Sequence, residues 1–209
     1  TTGLPQSIVA DCRLLGSDFI IDGELVGEKY YTFDLLKLDQ AELRPQAYRT
    51  RYEALGSFYV CDSILVSPSW NSWGEKEREF NRILKEGGEG VVFKRLNAPY
   101  SPGRPNSGGP QLKYKFYSTA TCRAALGREG KRSIGLEVKG IDGQWTPIGN
   151  VSVPVNQEIP QSGEVVEVRY LYAYKDGSLY QPVLLGVRDD VDYGACTSRQ
   201  LKYKKIEED

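Results

Sequence analysis

The chain has 209 residues, 26% of them charged, with a formal net charge of −1 and no histidine. That length allows one or two domains with a sizeable core, while the balanced charge confines any contact with a polyanion to local patches. The missing histidine excludes the usual general base and the Ser/His and Cys/His nucleophile pairs, so covalent or acid–base chemistry must use Lys, Asp, Glu, Tyr or Cys.

Cys12, Cys61, Cys122 and Cys196 are widely spaced and form no CxxC pair. Zinc-site spacing is therefore absent, and a reduced protein is expected rather than a disulfide scaffold. No apolar run approaches membrane-spanning length and the N-terminus lacks a signal-peptide pattern, so a cytoplasmic protein is expected.

In chain order, Ser7–Leu15 is expected to be a helix with Ile8, Val9, Cys12 and Leu15 on one face. Phe19-Ile20-Ile21 leads into Asp22-Gly23-Glu24. A polar turn at Gly27-Glu28-Lys29 then joins it to a partner strand, Tyr30–Leu36. Residues 40–57 read as a helix entered through Pro45, with Tyr48, Tyr52 and Leu55 as a stripe. Phe58–Val66 reads as a strand and Glu75–Glu86 as a charged helix burying Phe80, Ile83 and Leu84, closed by Gly87-Gly88.

The central stretch is Lys85–Tyr117. Glu89–Lys94 carries an apolar run, and Gln111–Phe116 alternates polar and apolar residues with period two. Between them lies a Pro/Gly/Ser/Asn-rich loop holding Arg104. Alternation puts Lys113 and Lys115 on one face, with Leu112, Tyr114 and Phe116 on the other. Two ammonium groups pointing one way, with the Glu89 carboxylate on a neighbouring strand, suit a phosphate-and-metal site. A solvated amphipathic hairpin would show the same pattern.

After Tyr117, Ser118–Ser133 reads as a polar hinge. Short β runs follow at Ile134–Lys139, Trp145–Val153, Val165–Tyr174 and Leu179–Val187, with turns such as Asp142-Gly143 and Asp176-Gly177. So many short strands in that length predict a small closed barrel of the OB type. Leu201-Lys202-Tyr203-Lys204 repeats the LKYK of residues 112–115 and is expected to be an exposed, charged tail.

EGVVFK followed by LKYK resembles the fourth and fifth motifs of the covalent nucleotidyltransferases, the ATP-dependent DNA and RNA ligases and the mRNA capping enzymes. Asp22-Gly23-Glu24-Leu25-Val26 resembles their third motif and Phe33-Asp34-Leu35-Leu36 the adjoining aromatic-Asp motif. Gln181–Val191 resembles their sixth, with Val191 where a lysine is expected. Four motifs in order over residues 22–115 are far more specific than any one alone.

The resemblance implies an α+β chain: the C-terminal part of a nucleotidyltransferase (adenylation, ATP-grasp-like) antiparallel-sheet domain over residues 1–117, then an all-β OB-fold barrel over 118–209. It implies an ATP-dependent DNA ligase using ATP (AMP) and Mg2+ on nicked double-stranded DNA, as a monomer without membrane contact. Glu24 would contact the ribose and Phe33 would stack on adenine. Glu89 would hold the metal, Lys113 and Lys115 would grip the α-phosphate as the catalytic pair, and Arg188 would help bind the nucleotide. Glu89-Gly90 favours ligases over capping guanylyltransferases; an RNA ligase or a non-catalytic OB module is the alternative. The Lys-x-Asp-Gly nucleophile motif is missing, no lysine precedes Lys29, and this chain alone is expected not to form lysyl-AMP. Lys139–Gly143 and Lys175–Gly177 echo that motif in the wrong place and read as hairpin turns.

Overall fold

A computed structural model of the chain describes residues 3–57, 61–103 and 109–205. Arg104 and the Phe58 end of the expected strand lie outside the described residues. The chain divides into two compact units, Thr1–Glu79 with Val91–Tyr114, and Phe80–Gly90 with Lys115–Asp209.

The first unit begins with helix α1 (Gln6–Leu14), whose Ile8 is buried. Strands β1 (Phe19–Val26) and β2 (Lys29–Leu38) pair antiparallel as the expected hairpin. Gly23 is required there: a Cβ would lie 2.5 Å from the Tyr31 carbonyl oxygen and 2.6 Å from the Tyr30 ring.

Past β2, Asp39 adopts φ 49° and turns the chain into a two-residue strand, β3 (Ala41–Glu42). The helix expected from residue 40 therefore begins only at Tyr48, as α2 (Tyr48–Ser57). Its first amides are satisfied by another segment: Tyr48 N–H donates to the Ala98 carbonyl and Arg49 N–H to that of Leu96, both at 2.9 Å. Tyr48, Arg51 and Leu55 form the buried face of α2, and the helix packs on β2. The short strand β4 (Ile64–Val66) pairs parallel with β2.

Helix α3 (Trp73–Lys85) starts two residues earlier than expected. Ser72 caps it: its Oγ accepts from Glu75 N–H (3.3 Å), while the Glu75 carboxylate accepts from Ser72 N–H (3.2 Å). This is a reciprocal capping box. The buried face expected for α3 does not form as such, because no residue of it is fully buried and Leu84 is exposed. Phe80 instead sets its edge on the Phe116 ring, centroids 4.9 Å apart. Strands β5 (Gly90–Lys94) and β6 (Gln111–Lys115) then form a two-stranded sheet.

The second unit holds β7 (Ser118–Ala125), β8 (Ser133–Lys139), β9 (Trp145–Ser152), β10 (Val165–Tyr170) and β13 (Val183–Val187) in one antiparallel sheet, ordered β13-β10-β7-β8-β9. A three-strand meander whose fourth strand returns beside the first is the OB order, and β13 approaches β9 at the open ends. The expected polar hinge is corrected here: its first half is β7, a strand paired on both sides. Ala120, Cys122 and Ala124 alternate into a core shared with Leu136, Val138, Val166 and Val168. Two expected strands are each split. Between β11 (Tyr172–Ala173) and β12 (Leu179–Tyr180) lies a tight hairpin, and Gln181, at φ 53° before Pro182, breaks β12 from β13.

The LKYK echo is an exposed tail only in part: Leu201 is buried and Lys202 half-buried, while Tyr203, which bridges to Ala173, and Lys204 are exposed. All four cysteines are free thiols.

Candidate functional site

Phe33 stands where the β1–β2 register slips. Asp22 faces Asp34 and Gly23 faces Thr32, so Phe33 is the extra residue of a bulge. Bulges re-aim a side chain within a strand. Its carbonyl accepts from the Tyr48 hydroxyl at 3.0 Å, tying the bulge to α2. Glu24, on β1, is exposed and lies opposite Tyr31.

Beside Phe33, Asp34 is 2% exposed and forms a bidentate pair with Arg51, which is 3% exposed: Nε to Oδ1 and Nη2 to Oδ2, both 2.8 Å. Arg51 Nη1 also donates to the carbonyls of Gln46 (2.5 Å) and Ala98 (3.3 Å). The pair is fully hydrogen-bonded, the condition for tolerating buried charge. Lys94, closing β5, brings its ammonium 3.8 Å from Asp34 Oδ2 and 4.4 Å from the centroids of both the Phe33 and Tyr48 rings. Burial pushes the Lys94 ammonium below its ordinary range, against the raising effect of Asp34. Asp34, Tyr48, Arg51 and Lys94 line a narrow cleft with Arg95, Tyr100 and Ser101. The Tyr100 hydroxyl reaches Asp22 Oδ2 at 3.5 Å.

Lys113, on β6, is exposed. In the second unit, Glu89 precedes β5 with an exposed side chain, and its carbonyl accepts from Phe116 N–H at 2.9 Å. That bond ties Glu89 to the end of β6, next to Lys115. Lys115 is half-buried and donates to Gln181 Oε1 at 2.8 Å. Lys202 Nζ donates to the Phe116 carbonyl at 3.2 Å. Burial lowers the Lys202 ammonium below its ordinary range, and the Glu89 carboxylate opposes that shift. Lys202 is thus a further cation of this cluster.

Arg188 is engaged elsewhere. Its Nε and Nη2 go to Asp190, both at 2.6 Å, and Nη1 goes to Glu167 at 3.1 Å. Asp190 holds the Arg188 guanidinium above its ordinary range, and Arg188 holds Asp190 below the usual carboxylate range.

Of the six residues singled out by sequence, Glu24, Phe33 and Lys113 fall in the first unit and Glu89, Lys115 and Arg188 in the second. Sequence reasoning missed Arg51, Lys94, Gln181 and Lys202. Arg51 was legible as a charge on the buried face of α2, three residues after Tyr48 and four before Leu55. Among the described residues no group of three or more His, Cys, Asp or Glu is placed to hold a metal. A single carboxylate such as Glu89 fits Mg2+, which keeps several waters and shares substrate phosphates with one or two carboxylates.

Residues 26–115 match the family described as the ATP dependent DNA ligase domain. A DNA ligase of Haloarcula marismortui is 31% identical over 144 residues, covering 65% of this chain and 26% of that protein. The multifunctional non-homologous end joining protein LigD of Mycolicibacterium smegmatis is 26% identical over 200 residues, covering 78% of this chain and 26% of that protein. A solved structure described under DNA binding with a minimal scaffold by Lig E DNA ligases matches with a TM-score of 0.60 at 19% identity, over 77% of this chain and 63% of that one. The chain spans 26% or less of the length of the curated relatives it matches.

Proposed function

We propose, from the match of residues 26–115 to the ATP dependent DNA ligase domain, that this chain is part of a ligase that seals 5′-phosphate/3′-hydroxyl nicks in double-stranded DNA through lysyl-AMP and AMP–DNA intermediates. Residues 1–117 belong to its adenylation domain and 118–209 form its OB domain. The observation that carries the reading is the span of the family match, which includes Phe33, Glu89, Lys113 and Lys115.

Phosphoryl transfer needs positioned reactants and neutralised phosphate oxygens more than proton transfer. Phe33 stacks on adenine and Glu24 accepts from the ribose hydroxyl. Lys113 and Lys115 grip the α-phosphate. Lys115 must leave Gln181 to do so, and a charged phosphate oxygen is a stronger acceptor than a neutral amide. Glu89 is the carboxylate that would hold Mg2+. When bound, the ion supplies charge stabilisation at the phosphate oxygens. Arg188 reaches the nucleotide only by releasing Asp190. Among the described residues no helix is long and apolar enough to cross a membrane; a monomer in the cytoplasm is the setting we assign.

The reading is tested on a pre-adenylated nicked duplex with the gene's complete product and Mg2+. Sealing is expected, and alanine at Lys113 or Lys115 should lower its rate by at least about tenfold, as the loss of a charge-assisted phosphate contact predicts. Normal sealing by both variants would overturn the site.

A further inference from the structure

Lys94 adds only a longer ion pair, 3.8 Å, to the Asp34–Arg51 pair. Arg51 already supplies both carboxylate oxygens at 2.8 Å, and Lys94 stands at 3.8 Å, beyond hydrogen-bond distance. Burying a second ammonium beside a satisfied carboxylate costs desolvation. What Lys94 does contact closely is aromatic: the Phe33 and Tyr48 rings, each 4.4 Å from its Nζ. Such distances lie well inside the range of cation–π attraction.

We infer that Lys94 is a positioning residue for nucleobase recognition: its ammonium occupies one face of the bulged Phe33 ring, leaving the other face to stack on the base. The inference rests on the reading of Phe33 as the base-stacking residue. Three contacts then hold Phe33 for its partner. Tyr48 O–H fixes its carbonyl, Arg51 clamps the next residue through Asp34, and Lys94 covers the ring. The charge has a second consequence. A cation on one face draws π density toward itself and makes the opposite face less negative. An electron-rich purine stacks better on such a face, because aromatic stacking is governed by the ring quadrupole. A neutral side chain of equal length at 94 would fill the space without this effect.

The test is adenosine binding by the 209-residue chain, followed by saturation transfer to adenine H2 and H8 in NMR, with ribose 5-phosphate as a base-free probe. Lys94→Met and Lys94→Gln should weaken adenosine roughly threefold to tenfold, the size of a partly desolvated cation–π contact. Lys94→Arg, which keeps the cation, should stay within about twofold of the parent. Ribose 5-phosphate binding should not change. In Phe33→Ala, which removes the ring, adding Lys94→Met should cost nothing more. Circular dichroism checks that each variant is folded, and Lys94→Gln stands in should Lys94→Met unfold. If Phe33→Ala weakens adenosine while neither neutral variant at 94 does, or if the two losses simply multiply, the inference is overturned and the base site stands. If Phe33→Ala binds adenosine like the parent, or the parent does not bind it, the reading of Phe33 fails and takes the inference with it.

Discussion

Arg51→Met tests how the first unit is held together. Arg51 and Asp34 are 3% and 2% exposed and share two hydrogen bonds of 2.8 Å. Removing one partner of a buried pair costs about 3–5 kcal/mol, because the other charge stays buried without compensation. Asp34 would still have Lys94 at 3.8 Å, so the lower end, about 3 kcal/mol, is expected. In Asp34→Leu/Arg51→Met the pair is gone and apolar volume replaces it, but Lys94 loses its nearby carboxylate, so only part of the loss should be recovered. The two units need not unfold together. Urea unfolding is therefore best followed by tryptophan fluorescence in a Trp145→Phe background, leaving Trp70 and Trp73, both in the first unit, as reporters. A single-variant loss below about 0.5 kcal/mol, the scale of an ordinary surface substitution, would refute the reasoning. So would a double variant no more stable than the single one.

Ser72→Ala should destabilise α3 by about 1 kcal/mol, the usual value of an N-cap, read as faster amide exchange in its first turn. The Ser72 hydrogen bonds hold Glu75 below the usual carboxylate range. The stability this carboxylate adds is therefore present above its unfolded pKa and is lost as pH falls through the lower folded value. The acid-induced rise in first-turn exchange should shrink in Ser72→Ala, which loses the hydroxyl contact to Glu75 but keeps the backbone N–H one. Lys202→Ala removes the donor to the Phe116 carbonyl and should cost the second unit about 1 kcal/mol, measured by urea unfolding at Trp145. Lys204→Ala, at an exposed position, should leave that transition nearly unchanged. Val191→Lys, restoring the lysine usual at that place in the sixth motif, should speed self-adenylation of the complete product without altering the sealing of pre-adenylated nicks; equal effects on both steps would show that Val191 does not occupy that place.

Where hydropathy and geometry agreed, the sequence was legible. The β1–β2 hairpin and the strands around β8 and β9 combine alternating apolar residues with glycine-containing turns, and they form as expected. Strand β7 did not stand out because its inward residues are Ala120, Cys122 and Ala124, too small to outweigh the neighbouring Ser, Thr and Arg. The N-terminus of α3 was legible but unused, since Ser72-x-x-Glu75 is a capping-box pattern. The start of α2 was not legible. It depends on carbonyls of Leu96 and Ala98, far along the chain, and on the left-handed turn at Asp39. The same limit governed the site. A motif resemblance pointed to Phe33, but the contacts of Arg51 and Lys94 exist only once α2 and β5 converge on Asp34.

The most direct measurement of the central claim is nucleotide choice. The gene's complete product should be incubated with Mg2+ and either ATP or GTP labelled in the α-phosphate, then analysed by denaturing electrophoresis and intact mass. A ligase with Glu89-Gly90 and Lys113-x-Lys115 in its nucleotide site should gain one AMP from ATP and nothing from GTP. Labelling by GTP alone, or by neither nucleotide, would contradict the account.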